Sequence, residues 1–86
     1  MIVFDHTITD PAGLHARPAG RLVQQAQAHA SQIQLTRADR TVSAKKLFAV
    51  MSLAVKGGDL VQFSCDGPDE AAAAEALRQV LATEGI

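Results

Sequence analysis

The stretch Gly13-Leu14-His15-Ala16-Arg17-Pro18-Ala19-Gly20 places an imidazole, a guanidinium and a proline within a single helical turn. Pro18 favours the start of a helix: its fixed φ suits the first turn and its missing N–H costs nothing there. If the helix begins around Ala16, His15 lies at its N-terminus. The first N–H groups of a helix have no internal acceptor, and the aligned peptide dipoles add about half a positive charge at that end. This field disfavours imidazolium, so His15 is expected to remain a neutral nucleophile near pH 7. It also favours an anion, which would meet waiting backbone donors and a guanidinium able to bind it bidentately. The dipole supplies about 0.3–1 kcal/mol, up to about 2 in a favourable site, and charge-assisted hydrogen bonds about 1.5–3 kcal/mol each. That strength suits a group that is held and then released. The sequence neighbours of His15 suggest no metal set and no catalytic triad, so the chemistry indicated is transient phosphorylation more than hydrolysis. The plain alternative is a solvated helix cap. His6 and His29 read as structural or solvated.

The elements around this stretch follow from hydrophobic period. Residues 2–8 alternate, with Ile2, Phe4, His6 and Ile8 on one face, as a strand does. Asp-Pro-Ala-Gly at 10–13 ends it with turn chemistry. From Pro18 the spacing turns helical, with Ala19, Leu22, Val23, Ala26 and Ala30 as the apolar stripe and Arg21, Gln24, Gln25 and Gln27 on the wet side. Ile33 and Leu35 alternate in a second strand, Ala38-Asp39 sits at a tight turn, and Thr41–Ser43 returns as a third. Residues 45–53 form a short helix with Leu47, Val50 and Met51 on one side, stopped by Gly57-Gly58. Leu60–Asp66 is a fourth strand with Val61, Phe63 and Cys65 inward. Gly67-Pro68-Asp69-Glu70 opens a last helix, its acids placed in the first turn, with Ala73, Leu77, Val80 and Leu81 buried and Gly85 as its stop. The β-α-β-β-α-β-α order predicts an α+β fold: a two-layer sandwich with three helices on one face of a four-stranded, mostly antiparallel sheet.

Composition removes whole classes of function. With 86 residues the chain makes one domain, 1–86, large enough to bury roughly 60–65% of its unfolded surface. Its 48% apolar and 20% charged residues describe a globular chain. A net charge of −1 with both signs mixed leaves no footprint for nucleic acid. Only Phe4, Phe48 and Phe63 are aromatic, so the core must be aliphatic and stacking platforms for single strands are absent. No apolar run approaches a membrane span and no signal peptide is evident, so a cytoplasmic protein without membrane insertion is expected. The lone Cys65 excludes an internal disulfide and reads as a buried small hydrophobe. No cofactor or metal is expected.

"GLHARPAG" together with "SAKKLFAVMSLAVKGG" closely resembles the HPr family, the histidine-containing phosphocarriers of the bacterial phosphoenolpyruvate-dependent sugar phosphotransferase system, over the whole chain. The resemblance implies an open-faced β-sandwich in which His15 takes a phosphoryl group from phospho-enzyme I, on Nδ1 in the family, and passes it to IIA domains of sugar permeases. It makes Arg17 the phosphate-site arginine and Pro18 the helix-starting proline, with Ala16 and Arg17 supplying backbone N–H groups. It places Leu47, Phe48 and Met51, near Gly20 and Gln24, in the patch that docks partners. Phe48 also falls off or at the edge of the apolar stripe, as a contact residue would; for Leu47 and Met51 ordinary core is the alternative. A monomer is expected. Three departures bear on regulation and docking. Lys46 replaces a serine that many Gram-positive relatives phosphorylate, so that switch is not expected here, and neither Ser43 nor Ser52 occupies its place. Ala54 stands where glycine is common. Gln24 and Gln27 stand where relatives often carry lysine or another polar residue, while Lys45 and Lys46 keep cations near the patch for an acidic partner. A regulatory adaptor and a phosphocarrier for a nitrogen-related chain use the same surface and stay open as alternatives.

Overall fold

In the computed structural model, which describes Met1–Ile86, seven elements follow one another: β1 (Ile2–Thr7), α1 (Ala16–Gln27), β2 (Gln32–Arg37), β3 (Arg40–Ser43), α2 (Leu47–Ser52), β4 (Leu60–Asp66) and α3 (Glu70–Glu84). The strands lie in the order β1-β4-β2-β3 with every neighbouring pair antiparallel. Register follows from the period of two: Phe4, Phe63, Leu35 and Val42 align in one row across all four strands. Phe63 and Leu35 in its centre are fully buried, and Phe4 and Val42 pack against the core at its ends. The adjacent row, Asp5, Gln62, Thr36 and Thr41, is polar. Gln62 donates to Asp5 there at 3.1 Å, and the Thr36 and Thr41 hydroxyls meet at 2.8 Å. One face therefore stays open to solvent while the helices cover the other, an open-faced α+β sandwich.

The helices seal the apolar face with short side chains. α1 buries Pro18, Ala19, Leu22, Val23 and Ala26, and α3 buries Ala73, Ala74, Leu77, Val80 and Leu81. Alanine at the contact positions lets two helices approach each other and the sheet closely, so a nearly aliphatic core can pack tightly. The Phe4 and Phe63 rings stack 5.2 Å apart, and the Arg78 guanidinium covers Phe4 at 4.4 Å. Burial of a side chain such as Phe63 contributes about 1.5–3 kcal/mol. Cys65 is fully buried, and burial pushes its thiol pKa up, so it serves as packing.

Several local expectations are corrected. α1 stops at Gln27, which leaves Ala30 exposed rather than on the buried stripe. α2 covers only Leu47–Ser52 and ends at Ala54, which takes a left-handed φ of 52°, rather than at the glycine pair. Gly58, at φ 91°, instead turns the chain into β4 and donates to the Ile8 carbonyl. The Ser43 hydroxyl accepts from the Lys45 N–H at 3.2 Å in the turn before α2. Pro68 lies outside α3, whose N-cap is Asp69.

Asp69 is also the main tie between distant loops. Its carboxylate accepts from the Ala30 N–H at 3.0 Å, the Ser31 N–H at 2.9 Å and the buried Ser31 hydroxyl. These donors, the hydroxyl first, hold its pKa down at about 2. The loop after α1 is thereby fastened to the start of α3.

Candidate functional site

The chain approaches α1 through a loop with little freedom. Asp10 forms an Asx turn, its Oδ1 accepting from the Ala12 N–H and its carbonyl from the Gly13 N–H, both at 2.8 Å. Gly13 sits at φ 70°, and a Cβ there would lie 2.2 Å from the Val55 carbonyl oxygen, so no other residue fits without moving backbone. Leu14 then donates to that same carbonyl at 3.1 Å and buries its side chain. Anchored from both sides, the next residue has to emerge at the surface. That residue is His15.

His15 is the N-cap of α1: its backbone is extended and its carbonyl accepts the first helical bond, from Ala19, at 3.0 Å. Its ring makes no capping hydrogen bond and its side chain is 44% exposed. Ala16 and Arg17 follow as the first two helical residues, with N–H groups that find no acceptor in the protein. Pro18, third, has none to offer. No acid occupies this first turn, so the positive end of the helix is unneutralised by its own sequence.

His15, Arg17 and Pro18 line one shallow cleft together with Asp10, Thr83, Glu84 and Ile86. Asp10 and Glu84 were not singled out from the sequence. The Asp10 Oδ2 lies 3.6 Å from His15 Nε2, which sets a carboxylate against the field of the helix. The turn chemistry at 10–13 carried that information, since a reversal returns Asp10 toward residue 15. Glu84, on the last turn of α3, carries no such local signal. Its nearly buried carboxylate sits 3.4 Å from Arg17 Nε and 3.7 Å from an Arg21 nitrogen. Arg17 itself is 80% exposed.

Beside this end of α1, α2 presents its outer side. Phe48 is 86% exposed and Met51 is exposed too, so Met51 does not join the core stripe, whereas Leu47 packs partly against the core. Gly20, Gln24 and Gln27 form one row along α1 at helical spacing. Gln24 is exposed, Gly20 has open space above it, and Gln27 donates to the Lys45 carbonyl at 2.9 Å, where α2 begins. The row therefore borders the α2 patch. Lys45 is not a free cation: its ammonium donates to the His29 carbonyl at 2.8 Å, leaving Lys46 as the exposed charge. The other histidines stay apart from the cleft that His15 lines. His6 is half-buried on β1, and His29 donates from Nδ1 to the Gln25 carbonyl at 2.8 Å.

Residues 2–83 match the family model described as the PTS HPr component phosphorylation site. The phosphocarrier protein HPr of Cupriavidus necator is 42% identical over 82 residues, 95% of this chain and 92% of that protein. A Mycoplasma histidine-containing phosphocarrier protein superposes with a TM-score of 0.95 at 32% identity, covering 96% of this chain and 94% of the other. The Bacillus subtilis catabolite-repression protein Crh, solved as a swapped dimer, is 34% identical with a TM-score of 0.75, over 96% and 95% of the two chains. An open-faced sandwich matched along nearly its full length by these proteins, with an uncapped histidine at the start of its first helix, belongs to the HPr family of phosphocarriers of the phosphotransferase system.

Proposed function

We propose that His15 is the phosphoryl-accepting residue, charged by phospho-enzyme I and discharged to IIA domains of sugar permeases. The observation that carries this reading is the exposed N-cap ring beside two acceptorless N–H groups and a guanidinium. As the ring nitrogen bonds to phosphorus, the bond from phosphorus to the donor breaks and its electron pair leaves with the donor. The phosphoryl oxygens then have Ala16 N–H, Arg17 N–H and the Arg17 side chain within the same turn. Arg17 can leave Glu84 for the phosphoryl group because its guanidinium is 80% exposed and the nearly buried carboxylate keeps a second cation beside it. Arg21 remains with Glu84 when Arg17 leaves it.

Phe48, Met51 and the exposed part of Leu47, with Gly20 and Gln24 beside them, form the docking surface in this reading. An apolar patch rimmed by Lys46 suits a brief contact with an acidic-rimmed partner, on the low side of about 1,200 Å². The protein acts in the cytoplasm as a monomer that meets donor and acceptor in turn with one face, and no helix in it is long and apolar enough to cross a membrane. Incubation with phosphoenolpyruvate and cognate enzyme I adds one acid-labile phosphate, and His15→Ala abolishes it; labelling of that variant at the wild-type level would overturn the assignment.

Likeness to Crh favours a regulatory adaptor as a second reading. Lys46, with no hydroxyl to phosphorylate, counts against the serine-dependent form of that role. The readings part in cells: loss of sugar uptake in His15→Ala marks a carrier, and a phenotype lost only in Phe48→Ala marks an adaptor.

A further inference from the structure

We propose that Asp10 is a positioning residue for phosphoryl transfer: it orients the His15 ring and holds the proton on Nε2, leaving the Nδ1 lone pair to the phosphoryl group. This rests on His15 being the acceptor. The two carboxylate oxygens of Asp10 divide the work. Oδ1 is committed to the Ala12 N–H at 2.8 Å, which fixes the side chain in its turn, and Oδ2 faces His15 Nε2 at 3.6 Å. A carboxylate can only accept, so the ring nitrogen it faces is favoured as the one bearing hydrogen. The other charged side chains around the cleft are Arg17, Arg21 and Glu84, and both guanidiniums pair with Glu84. Asp10 is therefore the charged group against Nε2.

The electron balance gives this contact a role in both directions of transfer. When Nδ1 bonds to phosphorus, the donor departs with the electron pair of the broken bond and the Nε2 proton stays. The ring becomes a phospho-imidazolium whose positive charge lies against Asp10. On transfer to the acceptor, the electron pair of the Nδ1–phosphorus bond returns to Nδ1 and neutral imidazole leaves. Without the proton on Nε2 the leaving group would be an imidazolide, which departs poorly. An interaction that grows as the ring becomes cationic thus keeps the phosphoryl group transferable. It also keeps the negative charge of Asp10 on the ring edge away from phosphorus.

Asp10→Asn separates the turn from the charge. The amide oxygen still accepts from Ala12, which turns the NH2 toward Nε2, and a donor there favours hydrogen on Nδ1. Nitrogen-15 NMR of the imidazole in the unphosphorylated protein should show Nε2–H dominant in the wild type. The ratio of Nε2–H to Nδ1–H should fall about tenfold or more in Asp10→Asn, a change of about 1.4 kcal/mol, and phosphoryl acceptance from enzyme I should slow by about tenfold. In Asp10→Ala the ratio should settle at that of a histidine peptide, which a loss confined to the turn would not produce. An unchanged ratio in both variants overturns the role of Asp10 while labelling of wild-type His15 leaves the phosphocarrier reading standing. Absence of label on wild-type His15 overturns that reading, yet the ring spectrum still reports on Asp10.

Discussion

Two helices in this fold begin alike and end up with opposite tasks. α1 opens on Gly13-Leu14-His15 and α3 on Gly67-Pro68-Asp69, each with glycine two residues before the N-cap and at positive φ. Each glycine is forced: a Cβ on Gly13 meets the Val55 carbonyl oxygen at 2.2 Å, and one on Gly67 meets the Ser31 Cα at 2.7 Å. Beyond that point they diverge. At α3 the cap and first turn are acidic, Asp69 binds Ser31 and Ala30, and Glu70 accepts from the Gly67 N–H at 3.3 Å. At α1 the cap is a histidine that binds nothing in its helix, and no acid follows. Carboxylates of the protein's own chain lie at the positive helix end in one place, bound to the neighbouring loop and not to the helix N–H groups, and none occupies the first turn in the other. Identity of the cap residue and its neighbours decides whether a helix start ties the fold or serves a ligand.

The sharpest test of that contrast exchanges what is lost. His15→Ala should eliminate phosphoryl labelling and leave stability within about 0.5 kcal/mol, as for other exposed substitutions, whereas Asp69→Ala should keep labelling and lower the melting temperature. If His15→Ala melts early and Asp69→Ala does not, the two ends have been assigned in reverse. Next come the glycines. Gly13→Ala and Gly67→Ala should each cost about 1–3 kcal/mol from backbone strain alone, seen as an earlier urea midpoint, and only Gly13→Ala should also slow labelling of the protein that remains folded.

Acid titration acts on the α3 end. Because the Asp69 carboxyl titrates at about 2 in the fold, below its ordinary value, its stabilising contribution is complete above the ordinary carboxylate range and disappears as pH falls through about 2. Thermal melts of the wild type from pH 5 to 2 should therefore decline more steeply than those of Asp69→Asn, which starts lower. Parallel curves would show that the Ser31 contacts do not distinguish the charged form. The smallest effect comes from making α1 resemble α3: Ala16→Glu places an acid in the open turn. It should raise stability by about 0.3–1 kcal/mol and slow phosphoryl acceptance, since the new carboxylate competes for the same donors. A variant that gains stability and transfers at the wild-type rate would show that those donors are not used.

The elements were legible because each announces itself within a few residues. Periods of two and 3.6 marked the strands and helices, and Pro18 marked the start of α1. What failed to show was what depends on the return of the chain. Ala54 adopts the left-handed turn that a glycine would take more easily, because Leu53 and Val55 are held on either side in the core. Lys45 reads as a free cation by its type, but the fold sets the His29 carbonyl within 2.8 Å of it. Met51 fits the apolar stripe by spacing, yet α2 is too short and too peripheral to bury it.

His15, Arg17 and the open first turn follow from the sequence by itself, since a helix end and its dipole act over a single turn and need only adjacent residues. Tertiary structure alone decided that Glu84 holds Arg17 and that Asp69 fastens Ser31, and it set the distance at which Asp10, brought back by its own turn, faces the ring. Those are contacts of a few ångströms between groups whose separation is set by how distant elements pack, and short-range chemistry cannot be read until that packing has brought its partners together.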